Sequence, residues 1–585
     1  MLAPKEIILK GLGVSPGIAI GTVHVRESGS IAIPEYSLKK SEVAGETKRL
    51  KTALKTAQEQ IGRMKDKSKT IPPAAAEEIG FLLDAYEQML GNSRLVRGAY
   101  RRIKDDRINA EYALQTEISD IQASFAALDD AYIAARMDDI KEVADRVIRA
   151  LTKTHVKPLN TVPKGSIIIC DEMTPADTAQ LDPKRVLGFG TVLGGAQGHT
   201  AIMACALGLP AVLGTAGILQ QAQSGDLVII DGSQGRVILN PKPATLAAFE
   251  ARQTERKKNL KRLERLRRQP SITRDGVDIS LGCNVELPIE MPGVINSGAS
   301  SIGLLRSEFM FMNRETIPSE EEQFVLLRDI VKTMDGRTTT IRTLDIGGEK
   351  LAQAITKDIG ESAQSALGLR GIRLSLKKPE LLESQIAAIL RAGAFGPVRI
   401  LLPMVSSTRE VKRTRAIINT VAERLKSENI AIADPLPPVG VMIEIPSAAL
   451  TADALAAVSD FFAVGSNDLT MYTIAVDRTD EQVADLYNPL HPAVLRLIQG
   501  TADAALRNRI PISICGEVAG NPRFTALLLG LGIRELSMSA HSLGAVKQRV
   551  REIEITAAQN RAHFIMSQTD TGRIAMLLDD FNGLV

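Results

Sequence analysis

Four arginines, two carboxylates, one cysteine and one histidine stand out for the chemistry their types and positions allow. Arg306 (in LLRSEF), Arg342 (IRTLDIGG), Arg370 (LGLRGIR) and Arg478 (AVDR) offer planar, permanently charged forks that match a phosphate. Glu444 (IEIP) and Asp468 (GSNDL) are hard oxygen donors. They suit Mg²⁺, which binds one or two protein carboxylates and fills its remaining positions with water and substrate phosphate oxygens. A phosphorylated substrate of charge −3 with these two carboxylates makes −5, and Mg²⁺ with three arginines makes +5. Taken singly, each residue reads as an ordinary salt-bridge partner; their common position at the ends of strand-like runs points to a site. Cys515 (ISICGEVAG) reads equally as a small core residue or as a group that exchanges a proton with carbon beside an anionic ligand. His199 follows Gly194-Gly195-Ala196-Gln197-Gly198 and opens an amphipathic stretch with Ile202, Met203 and Leu207. It reads either as a helix cap beside a flexible loop or as a nucleophile. A helix N-terminus disfavours imidazolium, and its free N–H groups would stabilise an arriving phosphoryl group.

The elements that must position these groups are legible from periodicity. Val43, Thr47, Leu50, Leu54, Ala57, Ile61 and Met64 recur at helical spacing, and AEYALQTEISDIQASFAAL and DDIKEVADRVIRALT continue the pattern. The expectation is a helical bundle inserted after a first short strand in GLGVSPGIAIGTVHV. Short β-rich runs at 166–170, 185–189, 226–231 and 236–240 then predict a compact α/β unit. Residues 243–268 predict one polar helix, closed by Pro270, that links two domains. Beyond it, eight strand-like runs near 278–284, 301–305, 338–345, 397–403, 438–444, 460–465, 511–515 and 535–539 alternate with helical stretches. That is the arithmetic of a TIM (β/α)8 barrel, whose strand carboxyl ends share one mouth. Asn284, Arg306, Arg342, Glu444, Asn467, Asp468 and Cys515 all fall at such ends.

Length and composition narrow the function classes. With 585 residues the chain spans several domains, and 71 basic against 68 acidic side chains leave it near neutral. A nucleic-acid coat is thereby disfavoured, and the basic run ERKKNLKRLERLRRQ reads as a solvated linker helix. The absence of Trp and an aromatic content of 3% argue against base-stacking platforms. Four cysteines far apart, with no C-x-x-C pair, disfavour a disulfide framework and fit a reducing compartment. The N-terminal residues lack the apolar block of a signal peptide, and no stretch reaches membrane-spanning length, so a cytoplasmic protein without membrane insertion is expected.

Over nearly its whole length the sequence resembles Enzyme I of the bacterial phosphotransferase system. The markers stand in family order: GVSPGIAIG, GG-x-x-x-H-T-A-I-M-A, RSEFMFMNR, IRTLDIGGEK, ALGLRGIR, VMIEIPSAA, GSNDLTMYTIAVDR and CGEVAG. The resemblance implies an enzyme that takes phosphoryl from phosphoenolpyruvate onto a histidine and passes it to the small histidine phosphocarrier HPr. It implies a swivelling phosphohistidine α/β domain (1–36 and 153–242), a helical HPr-binding insertion (37–152), a linker helix (243–272) and a barrel (273–585) that binds phosphoenolpyruvate and forms a homodimer. Carried over by motif, His199 would be the phosphorylated nucleophile, and Arg306, Arg342 and Arg478 would hold the phosphoryl group with Arg370 nearby. Glu444 and Asp468 would hold Mg²⁺, Asn467 would meet the substrate carboxylate, and Cys515 would protonate enolpyruvate. Tyr132, Arg136 and Asp139 would lie near the HPr surface.

The chain departs from the family pattern at Gln197-Gly198, Cys205, Ala463, Met471, Gln364-Ser365 and Ala85-Tyr86. Those departures around His199 motivate an alternative, a divergent paralogue that binds and regulates with reduced or lost phosphotransfer. A dikinase-type relative that uses ATP is a further alternative, but only about 40 residues precede the helical insertion, too few for an ATP-binding domain.

Overall fold

The computed structural model describes residues 5–26, 33–68, 83–91, 93–126, 131–152, 162–173, 177, 181–182, 184–194, 200–201, 204, 207–311, 316–346, 367–477 and 483–583. The chain divides into two compact units, Met1–Lys257 and Lys258–Val585. The fold class is the mixed α/β arrangement expected from the sequence.

In the first unit, eight strands form one sheet in the order β1-β8-β7-β3-β4-β5-β6-β2. The strands are β1 (Ile7–Lys10), β2 (Leu12–Ser15), β3 (Ile18–Arg26), β4 (Ser166–Cys170), β5 (Val186–Thr191), β6 (Ala211–Leu213), β7 (Leu227–Asp231) and β8 (Arg236–Leu239). The centre, β3 through β6, is parallel, and β1, β8, β7 and β2 join it antiparallel. Three strands, rather than one, precede the helical insertion. Its helices Val43–Ser68, Arg94–Asp105, Ala110–Ala126 and Ala131–Thr152 bury the apolar seam through Leu50, Leu54, Ala57, Ile61 and Met64. Each fully buried aliphatic side chain contributes about 1.5–3 kcal/mol relative to exposure. Tyr86, one of the departures from the family pattern, is a core residue at 1% exposure whose hydroxyl reaches Glu142 Oε2 at 3.3 Å.

Helix Pro243–Leu266 leads into the second unit, where Lys547 Nζ donates to Arg267 O (3.1 Å) and Gln269 O (3.2 Å) just past its end. A buried cation there satisfies carbonyls that the helix terminus leaves open. The eight strand-like runs become β9 (Ser280–Val285), β10 (Ser301–Leu305), β11 (Thr339–Arg342), β12 (Val398–Leu402), β13 (Val439–Ile443), β14 (Phe461–Val464), β15 (Ile512–Ile514) and β16 (Glu535–Met538). All neighbours pair in parallel and β16 pairs back to β9, closing the barrel. Alternation separates two cores. Ile302, Ile400, Val441, Phe462 and Ile514 face the helices in the large outer cluster, while Leu304, Leu401, Met442, Phe461, Ala463 and Cys515 form a separate cluster inside. Ala463, another departure from the family pattern, thus sits in the barrel interior beneath the mouth.

Candidate active site at the barrel mouth

A closed parallel barrel sends every strand's carboxyl end to one face, so residues scattered over more than 200 positions converge. Asn284 near the end of β9 and Cys515 just past β15 are joined by a 2.8 Å hydrogen bond across 231 residues of sequence. Arg306 follows β10, Arg342 ends β11, Glu444 follows β13, and Asn467 and Asp468 open helix Ser466–Ile474 after β14. Two glycines let the loops approach. A Cβ at Gly516 would lie 1.7 Å from Ser466 Oγ, and one at Gly465 would lie 3.0 Å from Glu444.

Arg342 and Arg370 are held by two carboxylates absent from the initial charge balance, Glu308 and Asp345, and Arg306 by a third, Glu286. Arg342, with its side chain 9% exposed, pairs with Glu308 Oε1 at 2.9 Å and Asp345 Oδ2 at 3.1 Å. Arg370 donates to both Asp345 oxygens at 3.1 Å, a bidentate fork. Arg306 pairs with Glu286 at 2.6 Å and is more open to solvent. Burial acts to raise the Asp345 carboxyl, but Arg342 and Arg370 outweigh it and hold it below its ordinary value. Counting protein side chains alone, the described mouth groups are therefore three arginines against Glu286, Glu308, Asp345, Glu444 and Asp468, two formal negative charges in excess where the initial set of three arginines and two carboxylates had one positive charge in excess. The signal was present in the sequence: R-S-E and R-T-L-D each place an acid two or three residues after an arginine.

Asp345 should be a stability determinant as well as a positioning group. Replacing it with alanine leaves two buried guanidinium groups facing each other without their shared counter-ion, at a cost of about 3–5 kcal/mol. Denaturant titration of the full chain should show that loss, and the KM for substrate should rise with it.

Glu444 is fully buried. Its Oε1 accepts from Met404 N at 2.6 Å, while Oε2 is buried with no hydrogen-bond partner. Met404 adopts a left-handed backbone (φ 56°) to make that contact, strain placed at the site that no sequence pattern announced. Burial, then the charges of Asp345 and Asp468, push the Glu444 carboxyl well above its ordinary range. An orphaned carboxylate oxygen with a second carboxylate close by is a donor set that fits Mg²⁺. Among the described residues no three acidic, histidine or cysteine side chains cluster as a protein-only metal cage.

Cys515 is buried inside the barrel, its Sγ 3.5 Å from Val464 O. Burial above all, then the Glu444 charge, pushes its thiol up to about 12, so at neutral pH it carries its proton and can donate it. Asn467 accepts from Glu517 N at 3.0 Å and donates to Glu517 Oε1 at 3.1 Å, pinning the loop after Cys515. Tyr472, whose hydroxyl burial pushes up to about 12, lies 3.9 Å from Met404 Sδ and was not anticipated. The mouth thus gathers Arg306, Arg342, Arg370, Glu444, Asn467, Asp468 and Cys515. His199 and Arg478 lie outside the described residues, as do Gln197, Gly198, Cys205, Gln364 and Ser365. Thr200, which follows His199, is helical and donates to Met173 O at 2.5 Å.

Comparison with known proteins bears on this arrangement. Residues 260–555 match the family model of the phosphoenolpyruvate-binding domain of phosphoenolpyruvate-utilising enzymes, 10–136 that of their N-terminal domain, and 162–235 that of their mobile domain. A phosphoenolpyruvate-protein phosphotransferase of Cupriavidus necator is 39% identical over 552 residues, covering 93% of this chain and 94% of that protein. The protein of the same name from Haemophilus influenzae is 35% identical over 577 residues, covering 98% and 99%. That from Geobacillus stearothermophilus is 35% identical over 551 residues, covering 94% of each.

Proposed function

This chain belongs to the phosphoenolpyruvate–protein phosphotransferase family, and from that premise we propose that it moves the phosphoryl group of phosphoenolpyruvate onto His199 and then onto a separate HPr-type histidine phosphocarrier, releasing pyruvate. The observation that carries this reading is the convergence at one barrel mouth of three guanidinium groups, a buried carboxylate with an orphaned oxygen, and a buried thiol.

In the proposed reaction the bond from phosphorus to the enol oxygen breaks as a bond from phosphorus to a His199 ring nitrogen forms. The loose transition state asks for positioning and charge neutralisation more than covalent help. Arg306, Arg342 and Arg478 supply that charge, and Arg370, locked on Asp345, keeps Arg342 in place. Mg²⁺ held by Glu444 and Asp468 would add further neutralisation of the phosphoryl and carboxylate oxygens. Asn467 meets the substrate carboxylate. Cys515 then gives its proton to the methylene carbon of enolpyruvate, leaving pyruvate and a thiolate that regains a proton from water.

The domain division drawn from the sequence, a swivel that carries His199 between mouth and acceptor, and acceptor docking near Tyr132, Arg136 and Asp139 belong to this proposal. The description of residues 162–235 as a mobile domain supports the swivel. A homodimer through the barrel unit belongs to it too. So does a cytoplasmic location. No helix among the described residues is long and apolar enough to cross a membrane. Label should pass from phosphoenolpyruvate through this chain to an HPr-type protein from the same cell, and ATP should not substitute. Labelling by ATP, or a labelled chain that no such acceptor discharges, contradicts the reading.

A further inference from the structure

We infer that Asn284 is a positioning residue for the proton transfer at Cys515, acting through the Cys515 backbone carbonyl and locked in its orientation by Ser537. The inference rests on the reading of Cys515 as the acid.

The β15–β16 ladder ends at the pair Ile514 and Leu536. The carbonyl of Cys515 therefore lies beyond the last strand partner, where a buried acceptor needs another donor. Asn284 supplies it: Nδ2 donates to Cys515 O at 2.8 Å, while Oδ1 accepts from Ser537 Oγ at 2.6 Å. A carbonyl only accepts and a hydroxyl does either, so the pair of partners fixes which end of the amide faces Cys515. Ser537 is 2% exposed, and its space exists because residue 303 is glycine; a Cβ there would lie 2.4 Å from Ser537 Oγ. The bridge spans β9, β15 and β16. From the other side, Cys515 N donates to Val464 O at 3.1 Å, and Asn467 holds Glu517 N. With the peptide plane after Cys515 fixed at both flanks, the direction of its Cα–Cβ bond is set, and with it where the thiol proton points. Removing the Asn284 amide frees one flank.

The reaction that isolates this step is exchange of pyruvate methyl protons for deuterium, followed by NMR, with the full chain, Mg²⁺ and pyruvate in D₂O. Here the minor thiolate form takes a proton from the methyl carbon, the resulting thiol exchanges that proton with D₂O, and the S–D group returns a deuteron to the carbon. Asn284→Asp is isosteric but has no donor for the carbonyl, and should lower kcat for exchange roughly 10- to 100-fold, the scale expected from sub-ångström misplacement, with the KM for pyruvate moving less than about threefold. Ser537→Ala, which only unlocks the amide, should lower it less and in the same direction, and it reads the bridge should Asn284→Asp fail to fold. Wild-type exchange in both variants while Cys515→Ala exchanges none overturns the positioning role alone. A loss carried by KM, or matched by a falling melting temperature, overturns it in favour of a structural role. Exchange that survives in Cys515→Ala overturns the acid assignment and this inference together.

Discussion

Replacing His199 with alanine should abolish labelling of the chain by phosphoenolpyruvate. Nothing else in the proposed mechanism accepts phosphorus: the mouth's arginines and Asn467 are donors to oxygen, and its carboxylates pair with guanidinium groups or a backbone N–H, or are assigned to Mg²⁺ in the proposed reading. The loss should be complete within detection, beyond the factor of about 10³–10⁵ attributed to a single charge-stabilising group in phosphoryl transfer. The substitution removes an acceptor and leaves every barrel residue unchanged, so phosphoenolpyruvate affinity measured by calorimetry should change by less than about threefold. Labelling of the alanine variant at a measurable fraction of the wild-type rate places the acceptor elsewhere.

The second large effect falls on Arg342. Among the described arginines of the mouth it is the most enclosed, tied to Glu308 and Asp345 at once. Among the causes acting on it, burial alone would lower its pKa, and the charges of Glu308, Asp345, Glu444 and Asp468 reverse that and raise it. Arg342→Ala should therefore lose twice. Phosphorylation should slow by about 10³-fold or more as a phosphoryl-binding fork disappears. Stability should fall by about 3–5 kcal/mol as buried carboxylates lose their counter-ion. Arg342→Lys should recover part of the stability but little of the rate, since one ammonium cannot span Glu308, Asp345 and a phosphate as a planar fork does. Stopped-flow phosphorylation and denaturant titration read the two losses separately. Equal recovery of both by lysine shows that Arg342 supplies only charge.

Much of this site was legible because strand ends are legible. Apolar β-branched runs bounded by turns placed β9 through β16 within a few residues, and a barrel then dictates which residues meet. Thus Glu444 and Cys515, 71 positions apart, could be assigned to one mouth from spacing alone. Glu308 and Asp345 escaped because a carboxylate beside an arginine has many uses, and only tertiary placement shows that both turn back onto Arg342. Met404 escaped because its role depends on a left-handed backbone that a methionine does not advertise. The short strands β1, β2 and β6 escaped for another reason. Segments such as LGVS carry no clean alternation, and they become strands only through their partners: β1 pairs antiparallel with β8 and β2 antiparallel with β6, both far away in sequence, while β6 also pairs in parallel with β5.

Where phosphorus comes to rest is the decisive property of this chain. Incubating the chain with Mg²⁺ and isotopically labelled phosphoenolpyruvate, quenching at alkaline pH and mapping the phosphopeptides should find one phosphoryl group per chain, on His199, labile to acid and stable to base. A phosphoryl group on any other residue, or a chain that turns over phosphoenolpyruvate without carrying one, contradicts the proposed reading.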